Sequence, residues 1–235
     1  MSLIHTVYNP GPMGLEGAPA ADASVASEPL PTVVAIHGHG ANSFDLLGLG
    51  PYLASGRVLL LCPEAEFVLQ PGLLSYTWFE TAPPARRSER EFERVTAALS
   101  EFVREAVPRY GGDPARTALI GFSQGGTLAY RLGLAEPDRF RGVAALSTWL
   151  PEEAEAQTAR GSVASMPLLV QHGTDDPMIN VDRARDSRDR LNALGATPDY
   201  REYPMGHEIR PDSMRDLSEW LERVLKLPSV ATAGD

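Results

Sequence analysis

Residues 117–126 read Thr117-Ala118-Leu119-Ile120-Gly121-Phe122-Ser123-Gln124-Gly125-Gly126. A short apolar run leads into a serine flanked by glycines, and a helix-type pattern follows to Ala135. A strand that turns sharply into a helix at a serine holds the hydroxyl outward on a strained backbone, and such a turn has room only for small flanking residues. The helix that starts there directs its unpaired N–H groups and the positive end of its dipole toward nearby negative charge. The stretch therefore predicts an exposed, nucleophilic Ser123 at the junction of a buried strand and a helix.

A serine hydroxyl is protonated at neutral pH, so it needs a base, and the base needs a carboxylate to orient it. The chain has 5 histidines. His5 lies in the N-terminal strand-like segment, His37 and His39 in a glycine-rich turn, and His172 at the end of an apolar run. Only His207, in Met205-Gly206-His207-Glu208, follows a suitable acid, which lies in His172-Gly173-Thr174-Asp175-Asp176-Pro177. Asp176 precedes proline, which biases it to extended backbone. It is favoured as the acid, with Asp175 as the alternative. The resulting order Ser, Asp, His is that of an α/β-hydrolase.

An oxyanion site needs backbone donors that can approach a ligand closely. His37-Gly38-His39-Gly40 follows the apolar run 33–36, and its N–H at His39 pairs naturally with that of Gln124, the residue after the serine. The competing reading of His37-x-His39 is a metal site. It is disfavoured because Gly40, Ala41 and Asn42 follow and supply no further His or Asp ligand.

Taken together these pieces resemble the carboxylesterase/phospholipase family of α/β-hydrolases, which includes acyl-protein thioesterases and small bacterial carboxylesterases. The resemblance rests on His37-Gly38-His39-Gly40, Tyr76-Thr77-Trp78-Phe79, the serine motif with its extra Gly126, Leu146-Ser147-Thr148-Trp149-Leu150-Pro151, His172 to Pro177, and Gly206-His207-Glu208. In that family the acid is the Asp before the Pro, which implies Asp176. The family usually has Leu or Tyr where this chain has His39; the role there belongs to the backbone N–H, so the exchange bears on local polarity. Related dienelactone hydrolases carry Cys at the elbow, unlike this chain.

Outward from the elbow, 33–36, 58–61, 117–121, 143–146 and 168–170 are short apolar runs of buried-strand type, and 200–203 is a weaker one. Residues 3–8 suit an edge strand. Ser88-x-x-Glu91 is a capping box for a helix whose apolar face is Phe92, Val95, Leu99, Phe102 and Val103, ended by Pro108 and Gly111-Gly112. Residues 181–194 form a polar-faced helix, and Met214, Leu217, Leu221, Val224 and Leu225 face the core in the last one. The alternation predicts an α/β-hydrolase fold with a mostly parallel central sheet and helices on both faces. It is expected as a single domain over 1–235, with a flexible Pro/Gly/Ala-rich loop at 9–31.

The chain has 235 residues, 43% hydrophobic and 22% charged, and a net charge of −10. The acidic balance argues against nucleic-acid binding and docking on an anionic membrane. The lone Cys62 excludes an internal disulfide. No basic leader with an apolar core is evident and no apolar run is long enough to span a bilayer, so the expected location is cytoplasmic.

The expected activity is a cofactor-free, metal-free serine carboxylesterase that hydrolyses short- to medium-chain acyl esters through an acyl-enzyme on Ser123, with thioesters or lysophospholipids as further substrates. A silent binding protein of the same fold, or a peptidase on the same triad, is the alternative. The oligomeric state is left open. Leu74, Trp78 and Phe79, in an apolar, turn-rich stretch after a strand, are expected to touch substrate, with Phe44, Trp149 and Met178 completing the wall.

Overall fold

The structure, a computed structural model, describes residues 3–11, 28–80 and 88–228. Most of the expected 9–31 loop lies outside the described residues.

The central sheet has 7 strands. They are β1 (His5–Tyr8), β2 (Leu30–Ile36), β3 (Leu59–Pro63), then β6 (Gly112–Phe122), β7 (Val143–Leu146), β8 (Leu168–Gly173) and β9 (Asp199–Tyr203). Between β3 and β6, β4 (Phe67–Val68) and β5 (Tyr76–Thr77) form a separate hairpin. The spatial order of the large sheet is β1-β3-β2-β6-β7-β8-β9. Only β1 runs antiparallel, at one edge. The expected strands are present, but 117–121 is the second half of a strand that opens at Gly112, beyond a register shift between Leu30 and Thr32.

Six α-helices accompany the sheet among the described residues: α1 (Ser43–Leu47), α2 (Glu89–Arg109), α3 (Gln124–Ala135), α4 (Glu152–Ala156), α5 (Val181–Ala193) and α6 (Pro211–Val224). Ser88 caps α2 by accepting the N–H of Glu91, as its sequence predicts. The short α1 and α4 and the β4–β5 hairpin were not expected, because elements of a few residues show no period.

Strand alternation divides the core in two. Val34, Ile36 and Leu119 pack with Leu99, Phe102, Leu128 and Leu191 on the α2, α3 and α5 face. Val33, Ala35, Ala118 and Ile120 pack with Leu46, Leu217, Trp220 and Leu221 on the α1 and α6 face. Fully burying one such side chain contributes about 1.5–3 kcal/mol, so a sheet buried on both faces is strongly held in register. That register brings the carboxyl ends of β2, β6, β8 and β9 to one edge, where ligands of open α/β sheets bind. Ser123, Asp176, His207 and the 37–40 turn all lie just past those ends.

Candidate active site

Ser123 has φ 52° and ψ −117°, a positive φ that a non-glycine residue adopts only when its surroundings impose it. The surroundings are main chain and one hydroxyl. The Ser123 N–H donates to the Leu146 carbonyl at 2.9 Å, and the Ser123 carbonyl accepts the Thr148 hydroxyl at 2.7 Å. A Cβ on Gly121 would stand 2.3 Å from the Gly125 carbonyl oxygen, and one on Gly125 would stand 2.0 Å from that of Ile36. The glycines are there because strand β2 and the elbow touch main chain to main chain. The Ser123 hydroxyl makes no capping bond to α3.

Gln124 is the first residue of α3, where a backbone N–H has no intrahelical acceptor. Its side chain is buried and points elsewhere. Oε1 accepts the Thr77 hydroxyl at 3.1 Å and the Trp78 N–H at 3.0 Å, tying the β4–β5 hairpin to the elbow.

Asp176 and His207 meet, Oδ2 to Nδ1, at 2.7 Å. Oδ1 of Asp176 accepts the N–H groups of Met178 and Ile179 at 2.8 and 2.9 Å. Burial alone would raise the Asp176 pKa; the hydrogen bonds from His207, Ile179 and Met178 outweigh it and hold the carboxyl below its ordinary value. The group is therefore ionised at neutral pH and can orient an imidazole and stabilise its cation. Asp175 is exposed, and its N–H donates to the Met205 carbonyl, which fastens the acid loop to the base loop. Of the two adjacent carboxylates, only Asp176 bonds His207.

The imidazole of His207 packs on the ring of Phe122, centroids 4.9 Å apart. The Asp176–His207 pair is thereby set against the residue that precedes Ser123. His172, which had no assigned role, is fully buried behind this pair; its Nε2 donates to the Ile179 carbonyl at 2.8 Å and stands 3.4 Å from Asp176 Oδ2. Its place at the end of β8 was legible, but its contact with Asp176 needs the loop to fold back.

On the opposite side, the 37–40 turn covers the serine. A Cβ on Gly38 would lie 3.2 Å from Ser123 Cβ. Gly40, at φ +82°, donates its N–H to the Tyr76 carbonyl at 2.8 Å, so the hairpin and the turn are joined. His39 is exposed, whereas His37 is buried and engaged by Gly38, Ala65 and Glu64. The two imidazoles of His37-x-His39 thus lie in different surroundings, and among the described residues no group of three or more His, Cys, Asp or Glu could hold a metal ion.

Two residues of the expected substrate wall are buried. Trp78 and Phe79 are only 2% and 1% exposed. Trp78 donates its indole N–H to the His37 carbonyl, and Phe79 packs on Phe92. Both are members of the core cluster that includes Phe92 and Leu128. Leu74 and Met178 are exposed, at 61% and 74%, as is Phe44. Asn42 Nδ2 donates to the Leu74 carbonyl at 3.0 Å, which keeps Leu74 beside the 37–40 turn. Trp149 is half-buried, with the Arg183 guanidinium 4.0 Å over its ring.

A family model described as Phospholipase/Carboxylesterase matches residues 21–225. Acyl-protein thioesterase 1 of Mycosarcoma maydis is 28% identical over 222 residues, covering 84% of this chain and 92% of that protein. Among solved structures, esterase PE8 superposes with a TM-score of 0.76 at 24% identity, covering 95% of this chain and 100% of the other. The Bacillus cereus carboxylesterase superposes with a TM-score of 0.73 at 20% identity, covering 94% of each chain.

Proposed function

Because the chain belongs to the phospholipase/carboxylesterase family of α/β-hydrolases, enzymes that hydrolyse esters, we propose that Ser123, His207 and Asp176 are its catalytic triad. We propose further that its substrates are short- to medium-chain acyl esters. The observation that carries this reading is the Asp176–His207 bond packed against Phe122, next to a serine held at positive φ.

In the proposed cycle, Ser123 Oγ attacks the acyl carbonyl carbon while His207 Nε2 takes the hydroxyl proton. Asp176, ionised and bonded to Nδ1, holds the ring and stabilises the imidazolium. The carbonyl oxygen becomes an oxyanion facing the N–H groups of His39 and Gln124. The intermediate collapses, the C–O bond to the leaving group breaks, and that group departs with the proton from His207. Water then attacks the acyl-enzyme with His207 again as base, releasing the acid and restoring the serine. Every group in this cycle is an ordinary side chain or backbone N–H, and no cofactor takes part.

Support for short to medium acyl chains is the scale of the apolar surface beside the turn. Leu74 is exposed there, Met178 is exposed on the loop of Asp176, and the connecting hairpin is short and turn-rich. The relative named acyl-protein thioesterase 1 makes thioesters the second acyl donor to test.

Labelling with a fluorophosphonate, followed by peptide mass spectrometry, tests the assignment. The adduct is expected on Ser123, with loss of aryl-ester hydrolysis in proportion to labelling, and neither labelling nor hydrolysis in Ser123→Ala. Labelling elsewhere, or a folded Ser123→Ala protein with near-wild-type turnover, would overturn it.

A further inference from the structure

His37 is 1% exposed and directly precedes Gly38 at the end of β2. We propose that His37 is a positioning residue that fixes the direction of the His39 N–H by holding the Gly38 carbonyl. The proposal rests on the serine-hydrolase reading above, in which that N–H is one of the oxyanion donors.

The geometry is specific. His37 Nδ1 lies 2.8 Å from the Gly38 carbonyl oxygen. A carbonyl can only accept, so Nδ1 carries a proton, which is true of the neutral δ tautomer and of the imidazolium alike. The far side of the ring is clamped as well. Nε2 lies 3.1 Å from the Ala65 nitrogen, whose N–H it accepts in the neutral δ tautomer, and 3.0 Å from Glu64 Oε1, to which it donates as the imidazolium. Glu64 is in turn held by the N–H and hydroxyl of Ser43. The ring rests on Trp78, centroids 5.1 Å apart, and the Trp78 indole N–H donates to the His37 carbonyl at 2.9 Å. The imidazole cannot turn without breaking several of these contacts.

In a trans peptide the C=O and the following N–H point in opposite directions. Drawing the Gly38 oxygen toward the His37 ring therefore turns the His39 N–H away from it. Gly38 has no Cβ to resist rotation, and the turn's own bond, Ala41 N–H to the Gly38 oxygen, is long at 3.4 Å. The same Gly38 abuts Ser123, at 3.2 Å from a constructed Cβ to Ser123 Cβ. A donor aimed before the reaction starts stabilises the oxyanion without reorganisation, which is the source of its effect. Burying His37 and Glu64 together under the turn is explained if the pair serves this aim.

The test compares three variants by kcat and KM on an aryl ester, and by inhibition with a trifluoromethyl ketone, whose adduct on the serine places an oxyanion in the same site. His37→Leu removes the donor. His37→Asn places an amide N–H about where Nδ1 stands, and His37→Gln places one about where Nε2 stands. His37→Leu should lower kcat on the order of 10- to 100-fold, less than the roughly 10²- to 10³-fold loss when a donor is deleted outright, with KM little changed. The ketone should weaken in parallel, and His37→Asn should recover most of the loss while His37→Gln does not. If His37→Leu fails to fold, the Asn and Gln variants decide alone. Near-wild-type kcat in folded His37→Leu, equal losses in Asn and Gln, or unchanged ketone inhibition would overturn the proposal. A wild-type enzyme that labels on Ser123 while these variants stay active defeats only this inference. A wild-type enzyme that does not label there defeats the serine reading and this inference with it.

Discussion

Phe122 and His207 pack ring against ring, their planes inclined at 52°, although one ends strand β6 and the other lies in the loop past β9. The imidazole is thus restrained on one edge by Asp176 and on one face by the residue before the serine. The carboxylate, the imidazole and the elbow form one connected assembly at the carboxyl edge of the sheet.

Asp176→Asn should reduce kcat on the order of 10⁴-fold, the effect seen when a triad acid loses its charge but keeps its size. Asp175→Asn should leave kcat near wild type, because that side chain is exposed and Asp176 alone bonds His207. Steady-state kinetics on one aryl ester settles the comparison; greater damage from Asp175→Asn would shift the assignment by one residue.

Gly125→Ala should destabilise the fold and abolish activity together. The new Cβ would meet the Ile36 carbonyl at 2.0 Å and the His37 carbonyl at 2.6 Å, both backbone atoms that no rotamer change can clear. Overpacking of this kind costs roughly 1–3 kcal/mol or more. Urea unfolding should show a lower midpoint, and an unchanged midpoint would mean that the elbow has room for a methyl group.

Glu202 should contribute stability that disappears in acid. The Arg185 hydrogen bonds, against opposing burial and with help from Tyr200, lower its pKa from 4.5 to about 2. A carboxyl depressed by folding stabilises the protein above its unfolded pKa and loses that contribution as pH falls through the folded one. Wild type should therefore exceed Glu202→Gln in Tm at pH 7. The gap should narrow once pH drops below 4.5 and close near pH 2. The gap should be modest, since both partners are partly solvated. A gap that stays constant across this range would refute the linkage.

Hydrolysis should peak along a series of acyl chain lengths and then decline. Each buried methylene adds up to about 0.8 kcal/mol until the apolar surface is used up. With Trp78 and Phe79 buried, that surface comes from exposed side chains such as Phe44, Leu73, Leu74 and Met178. A kcat/KM that keeps climbing to long-chain esters, or jumps at a lipid–water interface, would replace this reading with that of a lipase.

Much of this was legible in the chain itself. The apolar runs 33–36, 117–121, 143–146 and 168–170 are strands because period and β-branched content are local properties, read within a few residues. The elbow was legible for the same reason: glycines at close quarters with a serine encode their own steric requirement. The order Ser123, Asp176, His207 followed from a scarcity of histidines. Which of the two adjacent aspartates bonds His207 is seen only in the tertiary structure, because neighbouring side chains point in different directions and the partner of Asp176 lies 31 residues away. Tertiary structure also drew Trp78 and Phe79 into the core and set His37 beneath the Gly38 carbonyl. No local pattern records which face of a loop is covered, since that depends on chain brought from elsewhere by the register of the sheet.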